Sequence, residues 1–573
     1  MKTLAHRVWH SRYRAAELGE CSPEETFARV ARALAGPEGS NAAHHGAQFL
    51  DLMASNRFLP GGRILANGGR DLEATLANCF VSGTLEDSLD GIFRALQESA
   101  LTLQAGGGIG IDFSPLRPRG TPALRTGQTA SGPVSFIAVW NQMSETLLST
   151  NPRRGAMMGV LDCSHPDIFR FIAAKDDPRV LHHFNLSVLV SDAFMQALAA
   201  GSEWPLRFGE DIAGSVPAAE LWQAVLDHGL AGGEPGLLFI DQINAGNRLG
   251  YRESIRATNP CGELPLPPHG ACVLGSLVLP SFVRAPFSAS ARLDFALLEE
   301  TVRPAVRMLD NALEIARLPL SAQRQAAQET RRIGIGCTGL ADMLAMLGLR
   351  YDSAAGRTTA AEVAARIRDT AALASCELAQ EKGAFPALDA AAWLANPVPR
   401  RFPEPIAARI RRHGLRNSHL TAIAPTGSLS LLAGNVSSGI EPIFDWDYSR
   451  RFDCAGDIEK LEVTDCAVAA WREMHGARQL PDSFVRGRDI SAEDQVQMVA
   501  ALQPWVDSGI SKTLAIPPGA TTERLDLLYR MAYREGLKGI AAFPSQAARG
   551  AVLDAGAGAG ECADERARPD CPA

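Results

Sequence analysis

Long apolar runs are missing from this chain of 573 residues. None approaches the roughly 18 consecutive apolar residues that a bilayer-spanning helix needs, which excludes a helical membrane protein. The opening Met1-Lys2-Thr3-Leu4-Ala5-His6-Arg7 has no hydrophobic core of the secretory kind, so a cytoplasmic protein is expected. No Cys-x-x-Cys occurs among the 11 cysteines, which removes the usual thiol-oxidoreductase signature. Their odd number and wide scatter also exclude a disulfide scaffold, and any disulfide is expected to be transient and catalytic. Gly106-Gly107-Gly108 is not followed by Gly-Lys-Ser/Thr, so it is no Walker loop, and it lacks the dinucleotide fingerprint. Net charge is −8, so non-specific nucleic-acid binding is not expected.

What is present is ordinary in bulk: 21% charged and 46% hydrophobic residues, as in a globular enzyme. The length exceeds one simple core and fits one large catalytic domain with appendages. Residues 1–58 read as mostly helical. Ser22-Pro23-Glu24-Glu25 is a helix start with Ser as N-cap, and Phe27, Val30, Ala31 and Leu34 continue it on one apolar face. Residues 86–103 read as a helix, and 106–113 as a Gly-rich turn into a strand. Strand-like runs follow at 186–190, 237–240, 333–337 and 420–424, with helical patterns at 299–316 and 358–382. This alternation predicts an α/β domain with parallel pairing. Residues from about 551 read as a flexible tail rich in Ala, Gly and Asp.

Asn259-Pro260-Cys261-Gly262-Glu263 carries the most chemistry. It sets an amide, a thiol and a carboxylate at alternate positions, which project to one side of an extended backbone. Pro and Gly between them mark a loop tip. A second thiol, Cys272, follows eleven residues after Cys261. Either cysteine alone reads equally as core packing, because thiols are among the most buried side chains.

Asn-x-Cys-x-Glu followed by Cys resembles the radical loop of ribonucleotide reductases, and the form Asn-Pro-Cys-Gly-Glu-Leu-Pro-Leu resembles their adenosylcobalamin-dependent class. Other segments agree in order: Asn78-Cys79-Phe80-Val81, Asp87-Ser88-Leu89-Asp90, Gly106-Gly107-Gly108-Ile109-Gly110, Arg153-Arg154-Gly155-Ala156-Met157-Met158-Gly159, Phe184-Asn185-Leu186-Ser187-Val188, Arg332-Ile333-Gly334-Ile335-Gly336, Ala424-Pro425-Thr426-Gly427-Ser428 and Ser511-Lys512-Thr513. The resemblance implies a ten-stranded α/β barrel over residues 59–550 with the radical loop at its centre. The N-terminal helical segment, 1–58, is too short for a separate ATP-binding regulatory module, and 551–573 is a redox tail.

The same resemblance implies the roles. A radical derived from adenosylcobalamin oxidises Cys261, and the thiyl removes the 3′ hydrogen of a ribose. Glu263 is the general acid/base for the 3′ hydroxyl, and Asn259 positions the sugar hydroxyls. Cys79 and Cys272 supply two electrons by closing to a disulfide. Cys562 and Cys571 in the tail re-reduce that pair, and a thioredoxin-like reductant regenerates them. Asn78, Gly107, Gly108, Pro425, Thr426, Gly427 and Ser428 hold the substrate, with the Thr426-Gly427-Ser428 turn on its phosphate. Asp87, Ser88, Arg153 and Arg154 hold a dNTP or ATP effector at a homodimer interface; a solvated helix start and a surface turn are the plain alternatives. Cys163, Cys337, Cys376, Cys454 and Cys466 read as core residues.

The class follows from what is missing relative to other reductases. The iron-dependent class passes its radical through a tyrosine pair where this chain has Ala541-Ala542. The glycyl-radical class needs an Arg-x-x-Gly-Tyr-type tail and a four-cysteine metal site, and neither is found. Asp-x-His-x-x-Gly is absent too, so adenosylcobalamin is expected to bind with no metal ligand from the chain. A diphosphate substrate is favoured. A non-catalytic nucleotide-binding regulator on the same fold is the alternative, and it leaves the thiols without a purpose.

Overall fold

The computed structural model describes residues 4–123, 127–148, 156–177, 179–396, 401–454, 457–517, 519–544 and 553–555. The N-terminal segment is helical, with helices at Leu4–Arg12, Pro23–Ala35, Ala42–Ala54 and Gly62–Asn67. Ser22 takes the extended conformation of an N-cap, but its hydroxyl makes no capping hydrogen bond. Phe27, Val30, Ala31 and Leu34 are buried as their spacing requires.

The main sheet has ten strands. Cys79–Val81, Gly108–Asp112, Met157–Asp162, Phe184–Val190 and Gly236–Phe239 pair in parallel in that order. Gly236–Phe239 then meets Gly539–Pro544 antiparallel, and Gly539–Pro544 pairs in parallel with Thr513–Ile516. On the other flank, Cys79–Val81 pairs antiparallel with Ala271–Val278, which pairs in parallel with Ile333–Thr338. Residues 420–424, expected as a strand, make single bridges instead: Thr421 to Ile335 on one side and Ile423 to Ile510 on the other. Those bridges close the ring.

Alternation follows from closure. Cys79, Val81, Met158, Val160, Leu189, Leu238, Cys272, Leu274, Ala422 and Ala424 form one inner cluster together with Ile255, Ala257, Leu264 and Leu266. Ala257, Leu264 and Leu266 lie on the hairpin made by Ala257–Thr258 and Pro265–Leu266, and Ile255 leads into it, so the hairpin is the filling of the barrel. Residues of opposite parity pack outward beneath helices such as Phe295–Ile315 and Ala354–Lys382. Both helices start on a side-chain cap: Asp294 accepts from Leu297 N at 3.0 Å and Ser353 from Gly356 N at 2.9 Å.

The expected helix at 86–103 begins at Leu89 and runs to Gln104, because Ser88 is its cap. Leu553–Ala555, expected within a flexible tail, pairs antiparallel with Asp447–Cys454. Among the described residues no helix is long and apolar enough to cross a membrane.

Candidate active site

The loop is threaded against strands that have no side chain at the crossing. A Cβ on Gly110 would overlap Thr258 O, and one on Gly108 would sit 3.1 Å from Pro260 Cγ. Glycine is required at 110 by this approach and not by its dihedrals. Gly107 faces the other way, onto Phe80 and Thr102. The tip is tied on three sides. Asn185 Nδ2 donates to Pro260 O at 2.9 Å, Gly509 N donates to Glu263 O at 2.7 Å, and Gly262 N closes a turn onto Asn259 O at 3.1 Å. Gly262 itself has φ +82°, which a Cβ would disfavour.

Asn259 and Glu263 are buried, at 1% and 2% exposure, whereas Cys261 between them is partly exposed. Asn259 spans the loop: Oδ1 accepts from Leu264 N at 2.9 Å and Nδ2 donates to Cys79 Sγ at 3.1 Å. Cys79 Sγ lies 3.8 Å from Glu263 Oε1. Cys272 stands directly opposite Cys79 in the antiparallel register. Such partners have Cα atoms about 4.5–5.5 Å apart, inside the roughly 4.4–6.8 Å that a disulfide spans. Both are thiols here. Burial pushes the Cys272 thiol up, outweighing the pull of Arg332 toward the thiolate, so it stays protonated.

Burial also raises the Glu263 carboxyl to about 7, against hydrogen bonds from Asn259 and the Cys79 thiol that favour the charged form. Its Oε2 has no hydrogen-bond partner, and neither has Asn78 Oδ1, one residue before Cys79. Buried acceptors are normally satisfied, so two orphans here leave places for donors that are not part of the chain.

Thr426 follows the bridging segment in the left-handed conformation, φ +56°, and opens the helix Gly427–Leu432. Its hydroxyl is committed internally, meeting Thr338 Oγ1 at 2.9 Å and accepting from Gly439 N at 2.7 Å. Pro425, Gly427 and Ser428 are partly exposed beside it. Asp87 is paired with Arg117, at 2.7 Å to Nε and 3.1 Å to its main-chain N. Ser88 Oγ accepts from Gly91 N at 3.1 Å. Arg153 and Arg154, like Cys562 and Cys571, lie outside the described residues. Cys163, Cys337 and Cys376 are buried, Cys466 is partly exposed, and the Cys454 side chain is outside the description.

Asn185, Gly110 and Gly509 were not singled out as site residues by sequence. Asn185 and Gly110 stood inside quoted segments, but nothing in their spacing says that they touch the loop.

A ring of strands closed round a hairpin, with three thiols, a carboxyl and an amide at its tip, defines a barrel with thiol chemistry on its axis. The family model "Ribonucleotide reductase, barrel domain" matches residues 77–543, and "Ribonucleotide reductase, all-alpha domain" matches residues 2–73. The chain is similar to a vitamin B12-dependent ribonucleoside-diphosphate reductase of Mycobacterium tuberculosis (strain CDC 1551 / Oshkosh), 38% identical over 565 residues, which cover 94% of this chain and 78% of that one. A vitamin B12-dependent ribonucleoside-diphosphate reductase of Thermoplasma acidophilum is 35% identical over 542 residues, 91% of this chain and 67% of its own. A ribonucleoside-diphosphate reductase subunit alpha of Chlamydia muridarum is 26% identical over 598 residues, 90% of this chain and 56% of its own. The chain belongs to the ribonucleotide reductase family.

Proposed function

We propose that this chain reduces ribonucleotides, by preference diphosphates, to 2′-deoxyribonucleotides with adenosylcobalamin as cofactor. The observation that carries the reading is the axial cluster: Cys261 between Asn259 and Glu263, with Cys79 and Cys272 in register beside them. A regulator would need none of these thiols.

When bound, adenosylcobalamin supplies the one-electron oxidation of the Cys261 thiol. Alternation places Ser187, Gly236 and Ala541 on the inner wall, two residues along from Asn185, which holds Pro260. A Cβ on Gly236 would meet Ser187 Oγ at 3.0 Å and Ala541 Cβ at 3.5 Å, so this patch is built of small residues. The chain's own work is then acid–base and redox. Glu263 takes the proton of the ribose 3′ hydroxyl as the 2′ hydroxyl leaves as water. Cys79 and Cys272 give up two hydrogens and close a disulfide. Asn78 and the Thr426-Gly427-Ser428 turn hold the sugar and its phosphate.

The expected result is deoxynucleotide formation under anaerobic conditions with adenosylcobalamin and a dithiol, and no second subunit. Ala541-Ala542 motivates it, since neither can relay a radical. Activity that depends on an added iron or manganese protein, and not on the cobalamin, overturns it.

Asp87 and Ser88, with Arg153 and Arg154, are assigned to a dNTP or ATP effector site at a homodimer interface. The surface supports such a contact: Leu89 is 67% exposed and Phe93 52%, one turn apart on the helix that Ser88 caps, and Val139 is 37% exposed on Pro133–Leu148 beside it. Coupling of this kind is about 1–3 kcal/mol. The cytoplasm, with its reducing thiols, suits the proposed cycle.

Cys562 and Cys571 are assigned to a shuttle between the buried pair and a thioredoxin-like protein. Cys562→Ser and Cys571→Ser are expected to turn over normally with dithiothreitol, which diffuses into the barrel, and to stop with thioredoxin, which cannot enter. Multiple-turnover rates with each reductant decide the matter. Wild-type rates with thioredoxin in both variants assign the electrons to other thiols.

A further inference from the structure

A cavity of about 180 Å³ opens where Gly236–Phe239 runs out and where Thr513–Ile516 and Gly539–Pro544 begin. Arg248, Arg368, Lys538, Asp507, Gln242 and Trp505 line it, and the site described above uses none of them. A single water needs about 10–15 Å³, so this space takes several waters or one small ligand.

Its lining carries three cations, Arg248, Arg368 and Lys538, against one carboxylate, Asp507. Arg248 and Arg368 are 3% and 2% exposed. Both guanidinium groups lie against Phe402, at 5.2 and 4.5 Å from its centre. Arg248 also covers Trp393 at 4.6 Å and Arg368 covers Trp505 at 4.8 Å. Stacking fixes the flat faces and leaves the N–H edges to find acceptors. Arg368 finds Asp369, at 2.8 and 2.5 Å. Arg248 does not: Asp507 Oδ1 is 4.0 Å from its Nε, which makes no hydrogen bond. Asp507 Oδ2 is already taken by Leu420 N at 3.0 Å. Lys538 donates to the main-chain carbonyls of Asp507 and Ser508, both at 2.6 Å, and not to a carboxylate.

The surroundings register this excess. His419 is held well below its ordinary range by burial and by Arg332, Lys538 and Arg248. Burial lowers Lys538 to about 8 and Arg248 to about 10; Asp507 acts against this in both, and the neighbouring guanidinium groups add to it. A buried cation normally has a counter-charge, and a buried N–H normally has an acceptor.

We propose that this cavity is an anion site of its own, taking a phosphate-type oxyanion among the cations of Arg248, Arg368 and Lys538 that line it. A tetrahedral oxyanion accepts from several directions at once, whereas a carboxylate is satisfied by one guanidinium fork. The anion comes either as free phosphate or as the phosphate end of a nucleotide reaching in from the open side. Its occupancy bears on the catalytic loop through a short path. Lys538 holds the carbonyls of residues 507 and 508, and the next residue, Gly509, holds Glu263 O.

The test is equilibrium dialysis of radiolabelled orthophosphate, and separately of ATP, against the full chain saturated with ribonucleoside diphosphate and a deoxynucleoside triphosphate. Saturable binding is expected to remain, and to weaken about tenfold or more in Arg248→Gln, the scale of one charge-assisted hydrogen bond. Orthophosphate retained while ATP fails to displace it identifies the free anion; tight ATP binding that displaces it identifies a nucleotide. Tungstate soaked into wild-type crystals is expected to give a heavy-atom peak beside Arg248, a readout that does not depend on a variant folding. Absence of residual binding in the wild type, binding indifferent to Arg248→Gln, or crystals with no peak at Arg248 overturns the proposal.

Discussion

Cys261→Ser is expected to bind ribonucleotide much as the wild type does and to lose turnover by roughly 10⁴-fold or more, as when the group that performs the chemistry is removed. Serine preserves the size of the side chain and its capacity for hydrogen bonding. It does not preserve the reactivity, because an O–H bond is far stronger than an S–H bond and the radical cannot form on oxygen. The loop has no need of the sulfur to keep its shape. Asn259 Oδ1 on Leu264 N, Gly262 N on Asn259 O and Gly509 N on Glu263 O hold it through other atoms. Nucleotide affinity by dialysis and anaerobic turnover with adenosylcobalamin separate the two effects. Substantial turnover by the variant removes Cys261 from the centre of the mechanism.

The loop was legible in the sequence because its chemistry is local. An amide, a thiol and a carboxylate within five residues need no tertiary information to be noticed. The partnership of Cys79 with Cys272 is of another kind. It rests on a single antiparallel register between two strands far apart in the chain, and no periodicity encodes that. The ring itself was half legible. Besides the turn into a strand at 106–113, which holds the strand Gly108–Asp112, four strand-like runs were visible, and three of them became strands of the sheet. The fourth, 420–424, joins its neighbours through single bridges, so it closes the barrel without a ladder of its own. Ser22 shows the limit of a capping signal: the residue sits where the pattern puts it, yet its hydroxyl does not cap. The cations at Arg248, Arg368 and Lys538 were invisible for a simpler reason. Isolated Arg and Lys read as solvated surface, and only the fold buries these around one cavity.

Glu263→Gln is the variant in which activity and stability are expected to move in opposite directions. A carboxyl with an ordinary value of 4.5 is raised to about 7 when folded, chiefly by burial. Between those values the folded chain holds a proton that the unfolded chain has released, so stability falls as pH rises through this window and levels off above about 7. Glutamine carries no charge and escapes that penalty. It is expected to stabilise the protein at pH 8 by roughly 2 kcal/mol, less than the about 3 kcal/mol of the full shift because its amide also needs partners. Turnover is expected to fall about 10²–10⁴-fold, the usual contribution of a positioned acid or base. Wild-type turnover should rise with pH as Glu263 ionises near 7, and this limb should vanish in the variant. Thermal melts and rate profiles from pH 5 to 9 measure both. A variant that is destabilised at pH 8 contradicts the buried, uncompensated carboxyl; one that keeps its rate and its pH limb shows that another group takes the 3′ proton.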